Sequence, residues 1–326
     1  MPETALVTGA TGFVGAALCR ALLAQGLRVR AFHRPTSPLD LLAGLPVEHV
    51  VGDVLQPASL SAACTGAEWV FHAATETAYW RRPQDVVRTA VEGTRNVVRA
   101  ARQAGAQRLL LTSSLAALGV PSPGSLLDET HEFNLPPRRF PYGYAKHLAE
   151  GAARDEAGSA LELVIVNPTV ILGAGDLHQI SGSLITEAAR GLAVVWMDGG
   201  WNVVHIDDAA DGHLAAMRRG RAGERYLLAG ENLTHRETLH VVSAIVGRPA
   251  PRLRLPGWSI PFLATLIDAV RLFARLPLDG NQLRLSRHYL YCDSGKAQRE
   301  LGWIPRRTFR QAAQEAFDWY RARGVV

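Results

Sequence analysis

Two side chains in the segment Tyr142-Gly143-Tyr144-Ala145-Lys146 have the types and spacing for proton-transfer chemistry. Lys146 is one of only two lysines among 35 basic residues, the other being Lys296. In a chain that writes nearly every cation as arginine, a retained lysine marks a position needing a compact ammonium in place of a planar guanidinium. Tyr142 precedes it by one helical turn, which puts phenol and ammonium on one helix face. The ammonium would favour the phenolate and lower the phenol pKa from about 10, making Tyr142 a proton donor and acceptor nearer neutrality. Tyr144 points elsewhere on the helix and is expected to pack.

A second constellation lies near the N-terminus. Thr4 to Thr8 reads as a strand, Gly9-Ala10-Thr11-Gly12-Phe13-Val14-Gly15 as a glycine turn, and Ala16 to Gln25, closed by Gly26, as a helix. Gly9 would allow the tight turn, Gly12 would let the backbone approach a pyrophosphate, and Gly15 would let the helix pack on the strand. The helix N-terminus then faces the phosphates. The next strand ends Ala31-Phe32-His33-Arg34 with no carboxylate before Asp40. An acid there would bind a ribose 2′-hydroxyl, whereas an arginine accommodates a 2′-phosphate. NADP is therefore the expected cofactor, with Arg34 as the main phosphate contact and His33 or Ser37 assisting.

With Gly52-Asp53-Val54, Phe71-His72-Ala73-Ala74-Thr75, Val91-Glu92-Gly93-Thr94, Leu111-Thr112-Ser113-Ser114, Val166-Asn167-Pro168, Val204-His205-Ile206-Asp207-Asp208 and Glu300-Leu301-Gly302-Trp303, these motifs resemble the extended short-chain dehydrogenase/reductase (epimerase/dehydratase) family over essentially the whole length. Within it the chain is similar to the dihydroflavonol-4-reductase-like branch and to the bacterial proteins called hopanoid-associated sugar epimerases. The resemblance implies Ser114 as the catalytic serine, with Ser113 competing one residue away. It makes Tyr142 the proton donor, and gives Lys146 the nicotinamide ribose as well as the phenolate. Thr11, Phe13 and Val14 would line the cofactor with the three glycines. Asp53 and Val54 would flank the adenine. Ala73, Ala74 and Thr75 would lie beside the phosphates and ribose, and Pro168 and Val170 would border the carboxamide. Tyr79, Trp80, His178, Trp196 and Trp201 are candidates for the pocket wall. One position departs from the pattern: Ala90 stands where many members carry an asparagine credited with helix geometry or a proton-relay water.

The elements that must hold these residues follow from apolar runs alternating with helical patterns, the signature of a parallel sheet covered on both faces. Candidate strands are Ala5 to Thr8, Arg28 to His33, Val47 to Val51, Trp69 to His72, Arg108 to Thr112, Leu161 to Val166 and Arg225 to Ala229. Pro83 and Asp85 open a long helix with Val87, Val91, Thr94, Val98 and Ala101 at helical spacing. The proline-, glycine- and charge-rich stretch from Gly119 to Pro141 reads as a loop that shapes a site. The expected fold is α/β, a Rossmann-type doubly wound parallel sheet with a smaller C-terminal substrate lobe. Residues 1–168 would bind NADP and 169–326 the substrate, with about 203–230 returning to the Rossmann sheet.

Composition narrows the function. A chain of 326 residues with net charge +5 could suggest nucleic acid, but its arginines form no block or aromatic-interleaved stripe. Cys19, Cys64 and Cys292 lie far apart with no C-x-x-C spacing, so neither a metal site nor a disulfide framework is indicated and a reducing, cytoplasmic setting is expected. Met1 is followed almost at once by the first expected strand, leaving no room for a signal peptide. Trp258 to Val270 is short of the roughly 20 residues that span a bilayer. A packed helix of the substrate lobe is its expected role, with peripheral membrane contact the lesser alternative. The resemblance adds a small-molecule substrate and, as a common arrangement, a homodimer through two helices beside the sheet. Three functions remain in competition: an NADP-dependent carbonyl reductase, a nucleotide-sugar epimerase or dehydratase, and a non-catalytic dinucleotide-binding regulator, which Tyr142 and Lys146 argue against.

Overall fold

The computed structural model describes residues 3–76, 83–270 and 280–326. The first half alternates strands β1 (Thr4–Thr8), β2 (Arg28–His33), β3 (Glu48–Val51), β4 (Trp69–His72), β5 (Arg108–Thr112) and β6 (Glu162–Pro168) with helices α1 (Phe13–Ala24), α2 (Pro57–Cys64), α3 (Pro83–Arg88), α4 (Thr94–Gln103) and α5 (Pro141–Ala157). The second half runs β7 (Val170–Leu172), α6 (Ser183–Ala189), β8 (Val195–Met197), β9 (Gly200–His205), α7 (Ile206–Arg219), β10 (Arg225–Leu228), β11 (Glu231–Thr234), α8 (His235–Val246), β12 (Leu253–Leu255), α9 (Ile260–Val270), α10 (Gly280–Ser286), α11 (Gly295–Leu301) and α12 (Phe309–Ala322).

Seven strands form one sheet in the order β10-β6-β5-β4-β1-β2-β3, and every neighbouring pair is parallel. Parallel neighbours need crossover helices, so the central strands are buried on both faces and read as continuous apolar runs. One face packs against α1, α7 and α11 through Leu18, Leu22, Ala209, Met217 and Leu301. The other packs against α2, α4 and α5 through Leu60, Val97, Val98 and Ala153. The strand order reverses between β1 and β4, the switch point at whose carboxyl edge doubly wound sheets bind their ligands.

The remaining strands build a lobe. β9 pairs with β7 in parallel and with β11 antiparallel, and the core beneath them joins Leu172, Ile185, Val203, Val242, Phe309 and Tyr320. Between β9 and β11 the chain returns to the large sheet through α7 and β10, its edge strand. Within the stretch from Gly119 to Phe140, Glu129 to Glu132 lie against that edge. Glu129 Oε1 accepts the Leu227 N–H at 2.7 Å, and the Arg225 guanidinium donates to the Glu129 and His131 carbonyls at 2.8 and 2.6 Å. A strand edge that would otherwise expose unpaired backbone groups is thus covered.

Two buried polar residues fasten the chain's end. Asp208 accepts the backbone N–H groups of Arg306 and Arg307 at 2.9 and 2.8 Å and pairs with the Arg307 guanidinium at 2.7 Å. His205 caps α7, its Nδ1 accepting the Asp207 N–H at 3.1 Å. That fixes the tautomer, so Nε2–H donates to Glu315 at 2.9 Å. The donors of His205, Asp207 and Glu315 lie within 4.8 Å of one another. With both ring nitrogens engaged, this grouping reads as a helix cap and a hydrogen bond.

Candidate active site

The glycine turn is built by close approach. Gly9 adopts φ +69°, and a Cβ there would fall 2.7 Å from the Ala74 Cα, so only glycine lets the β1 turn pass against the chain leaving β4. A Cβ on Gly15 would lie 2.1 Å from the Gly9 carbonyl, which is why α1 can sit directly on its turn. Gly12 differs: its φ of −81° suits any residue and a Cβ would meet only the Gly9 carbonyl, at 3.3 Å. It is exposed, and α1 starts there with neither a side-chain cap nor an acidic residue in its first turn. Backbone N–H groups with no side-chain acceptor, on a turn stripped of Cβ atoms, fit a dinucleotide pyrophosphate. Gly12→Ala should therefore fold normally by circular dichroism yet bind NADPH at least about tenfold more weakly by fluorescence titration. Unchanged affinity would place the phosphates elsewhere.

Behind the turn, buried His72 ties β4 to its neighbours. Its Nδ1 lies 2.7 Å from the Thr8 hydroxyl and its Nε2 3.1 Å from that of Thr94. Burial, reinforced by the Lys146 ammonium, pushes the imidazole pKa down to about 3, so the ring acts here as a neutral hydrogen-bonding strut. Ala73 continues the ladder, its N–H on the Thr8 carbonyl at 3.2 Å.

The Tyr-Lys pair lies on α5, whose Pro141 takes the first helical turn. Gly143 lets this helix touch the turn after β5, since a Cβ there would come within 2.5 Å of the Ala116 carbonyl. Tyr142, next to it, is half-buried against Val86, Ala90, Ala145 and Ala149. Lys146 is 5% exposed, and its ammonium donates to the Thr112 carbonyl at 2.9 Å, two residues before Ser114. Thr112 is fixed in turn by His213 of α7, whose Nδ1–H donates to the Ala209 carbonyl at 2.6 Å and whose Nε2 accepts the Thr112 hydroxyl at 3.1 Å. Burial lowers the lysine pKa to about 8, partly offset by Glu150. A depressed lysine pKa means the buried ammonium costs stability at neutral pH, a cost relieved as pH rises from about 8 toward 10.5.

The two serines part company. Ser113 is buried and donates to Glu150 Oε1 at 2.5 Å, whereas half-buried Ser114 accepts the Ala116 N–H at 3.2 Å. Ser113 is thus spent on an internal network and Ser114 is the serine at the strand's open end. Sequence reasoning missed the centre of that network. Glu150, 1% exposed, also accepts from Asn167 at 2.7 Å and from Arg225 at 3.2 Å. Asn167 reaches on to the Ser114 carbonyl at 3.0 Å. The signal was present, for Glu150 follows Lys146 by one more helical turn on the same face.

Just beyond β2, Arg34 is exposed and forms no ion pair among the described residues. His33 is buried, with Nδ1 3.0 Å from the Arg34 carbonyl and Nε2 3.2 Å from His49 Nδ1, so it faces its neighbouring strand. Asp53 Oδ1 accepts the Leu55 N–H at 2.9 Å, and Val54 is buried against Gly93. Gly175, at φ +114°, comes close to Phe13 and brings the lobe against the glycine turn. Pro168 and Val170 flank the step from the large sheet to the lobe. Of the wall candidates, Tyr79 and Trp80 lie outside the described residues and His178 is exposed. Trp201 packs into the lobe core with its indole N–H on Thr238 at 3.0 Å. Trp196 lines an open cleft of about 620 Å³ with Asp198, Arg236 and Tyr289, which Ser114, Tyr142 and Lys146 do not line.

A doubly wound sheet with a glycine phosphate turn at its switch point and a buried lysine one turn beyond a tyrosine defines a nicotinamide-dinucleotide-dependent oxidoreductase fold. Residues 5–229 match the NAD dependent epimerase/dehydratase family, and the chain belongs to it. Over 338 aligned residues it is 35% identical to a Synechocystis protein carrying a provisional dihydroflavonol 4-reductase name, covering 100% of this chain and 97% of that one. The crystal structure of gox2253 superposes with a TM-score of 0.86 at 35% identity over 99% of both chains. A Pseudomonas aeruginosa structure described as a nucleoside-diphosphate-sugar epimerase gives 0.84 at 29% identity, again over 99% of both.

Proposed function

We propose that the protein is an NADP-dependent reductase acting on a carbonyl of a small or medium organic molecule. Ser114 polarises the substrate oxygen, Tyr142 protonates the developing alkoxide, and Lys146 holds its ammonium beside the phenol. Bound NADPH would supply the hydride. Residues 1–168 then carry the cofactor, and 169–326, apart from the return to the sheet at about 203–230, the substrate. Pyrophosphate contacts fall to the Gly9–Gly15 turn with Thr11, Phe13 and Val14. Asp53 and Val54 lie toward the adenine, Ala73, Ala74 and Thr75 toward the ribose and phosphates, and Pro168 and Val170 toward the carboxamide.

The observation that favours a reductase over an epimerase is Arg34, an exposed guanidinium at the end of β2 where no carboxylate competes. A reductase exchanges its cofactor every turnover and gains by selecting the phosphorylated pool, whereas an epimerase regenerates its cofactor in place. Arg34→Ala should weaken NADPH binding by about tenfold or more and leave NADH nearly unaffected. NADH bound as tightly as NADPH by the wild type, or an unchanged preference in the variant, would refute the assignment.

Likeness to the Pseudomonas aeruginosa structure keeps the sugar epimerase as the second reading. NADPH deuterated on the transferable face separates the two. A reductase places deuterium in an alcohol product and releases stoichiometric NADP⁺. A sugar product with no net change in cofactor would establish the epimerase.

A further inference from the structure

Helix α9 breaks the usual rule for a surface helix. Its inner face is conventional: Ile260, Ala264 and Ile267 are buried with Leu283 against Met197, Leu255 and Leu263. An outer face should then carry charge. Here the exposed positions are Pro261, Phe262, Thr265, Leu266, Ala269 and Val270, and the one hydroxyl among them, on Thr265, is spent on the Pro261 carbonyl at 2.8 Å. The sole charged residue of the helix, Asp268, is neutralised by Arg284 at 2.7 Å. Phe262 is 75% exposed and Leu266 50%, while Trp258, in the turn leading into the helix, is 83% exposed. Positions 258, 262, 266 and 270 recur every four residues, giving an apolar stripe roughly 18 Å long. Leu253 of β12 and its register partner Val195 of β8 are exposed as well.

Single exposed apolar side chains need no explanation, but a continuous uncharged stripe bearing Trp and Phe asks for a partner. Charge says which kind. The described residues 248–270 and 280–291 contain Arg248, Arg252, Arg254, Arg284 and Arg287 against one acid, Asp268. Most of the chain's net +5 therefore belongs to this segment. Arg254 is paired with Asp198, whereas exposed Arg252 and Arg287 form no ion pair among the described residues. A second copy docked face to face would bring two such basic segments together. An anionic surface would complement them. Among the described residues no helix is long and apolar enough to cross a membrane, so a lipid partner must be met in the plane of its surface.

We propose that Trp258 and α9 form an interfacial docking element that seats this protein on anionic lipid bilayers. Trp258 and Phe262 enter the headgroup boundary, and Arg252 and Arg287 meet lipid phosphates. This inference uses none of the catalytic residues and stands apart from the reductase reading.

Co-sedimentation of the full chain with vesicles tests it. Binding should be weak on pure phosphatidylcholine, strong when phosphatidylglycerol is mixed in, and reduced by salt. The double variant F262S/L266S, whose side chains project into solvent, should keep its far-ultraviolet spectrum and melting temperature while losing at least about tenfold in partitioning. R252E/R287E should lose binding to the anionic vesicles only. No binding above the phosphatidylcholine control, or binding untouched by both variants, overturns the proposal. So does a dimer in size-exclusion chromatography that F262S/L266S dissociates without any vesicle binding, because the stripe would then cover a second copy.

Discussion

Tyr142→Phe should lower kcat by about a thousandfold while leaving folding and cofactor affinity close to wild type. The ring is half-buried against the apolar cluster of Val86, Ala90, Ala145 and Ala149, and phenylalanine keeps that apolar packing. What is lost is the hydroxyl that would carry the proton, the term worth two to four orders of magnitude when a positioned acid is removed. A companion variant separates charge from geometry. Lys146→Arg retains a cation, but its site is 5% exposed and organised around one carbonyl, that of Thr112, at 2.9 Å. A planar guanidinium has five donors to satisfy there and cannot take the place of a compact ammonium. Steady-state kinetics with circular dichroism and NADPH titration check both. Substantial turnover in Tyr142→Phe would move the proton donor to another residue and remove the basis for the proposed mechanism.

Much of this arrangement was legible before any coordinates, for a physical reason. Strands β4 and β5 are centred on continuous apolar runs, Trp69–Phe71 and Leu109–Leu111, because a parallel strand covered on both faces has no alternation to blur it. The glycine turn was equally readable, since close backbone approach admits no other residue at Gly9 and Gly15. The helix opened by Pro83 was legible only in part. Its apolar positions recur as expected, yet Thr89–Gly93 forms a π turn between α3 and α4. Such a turn leaves little trace in hydrophobic spacing. Ala90 lies inside it and is buried, so the wide turn forms here with alanine at that position. Within the stretch from Gly119, expected to be a loop that shapes a site, Glu129 and His131 are tied to the edge of β10, a strand distant in sequence that local spacing cannot announce. Trp196 and Trp201 show the same limit, because aromatic content alone does not reveal which way an irregular lobe turns its side chains.

Glu150 gives the second large effect: helical spacing placed it on the Lys146 face, but its partners lie too far apart in the sequence to be announced by spacing. Ser113 follows β5, Asn167 lies near the end of β6 and Arg225 begins β10; only the strand order brings the three to one carboxylate. Glu150→Gln preserves shape but turns an amide NH₂ toward donors. Arg225, 9% exposed at its side chain, is left without its buried counter-charge, and breaking a buried pair of this kind costs about 3 kcal/mol or more. The melting temperature should fall by several degrees or more. A second consequence tells support of the site apart from packing. Glu150 raises the Lys146 pKa against the burial that lowers it to about 8. Without that negative charge the pKa falls further, so the ammonium is lost at a lower pH and the alkaline limb of kcat/KM moves to lower pH. Arg225→Met is the control: it disturbs the same network and lowers stability but leaves Glu150 beside Lys146, so its alkaline limb should not make that downward move. If Glu150→Gln melts earlier with its pH profile unmoved, Glu150 is a structural brace and contributes nothing to the charge at Lys146.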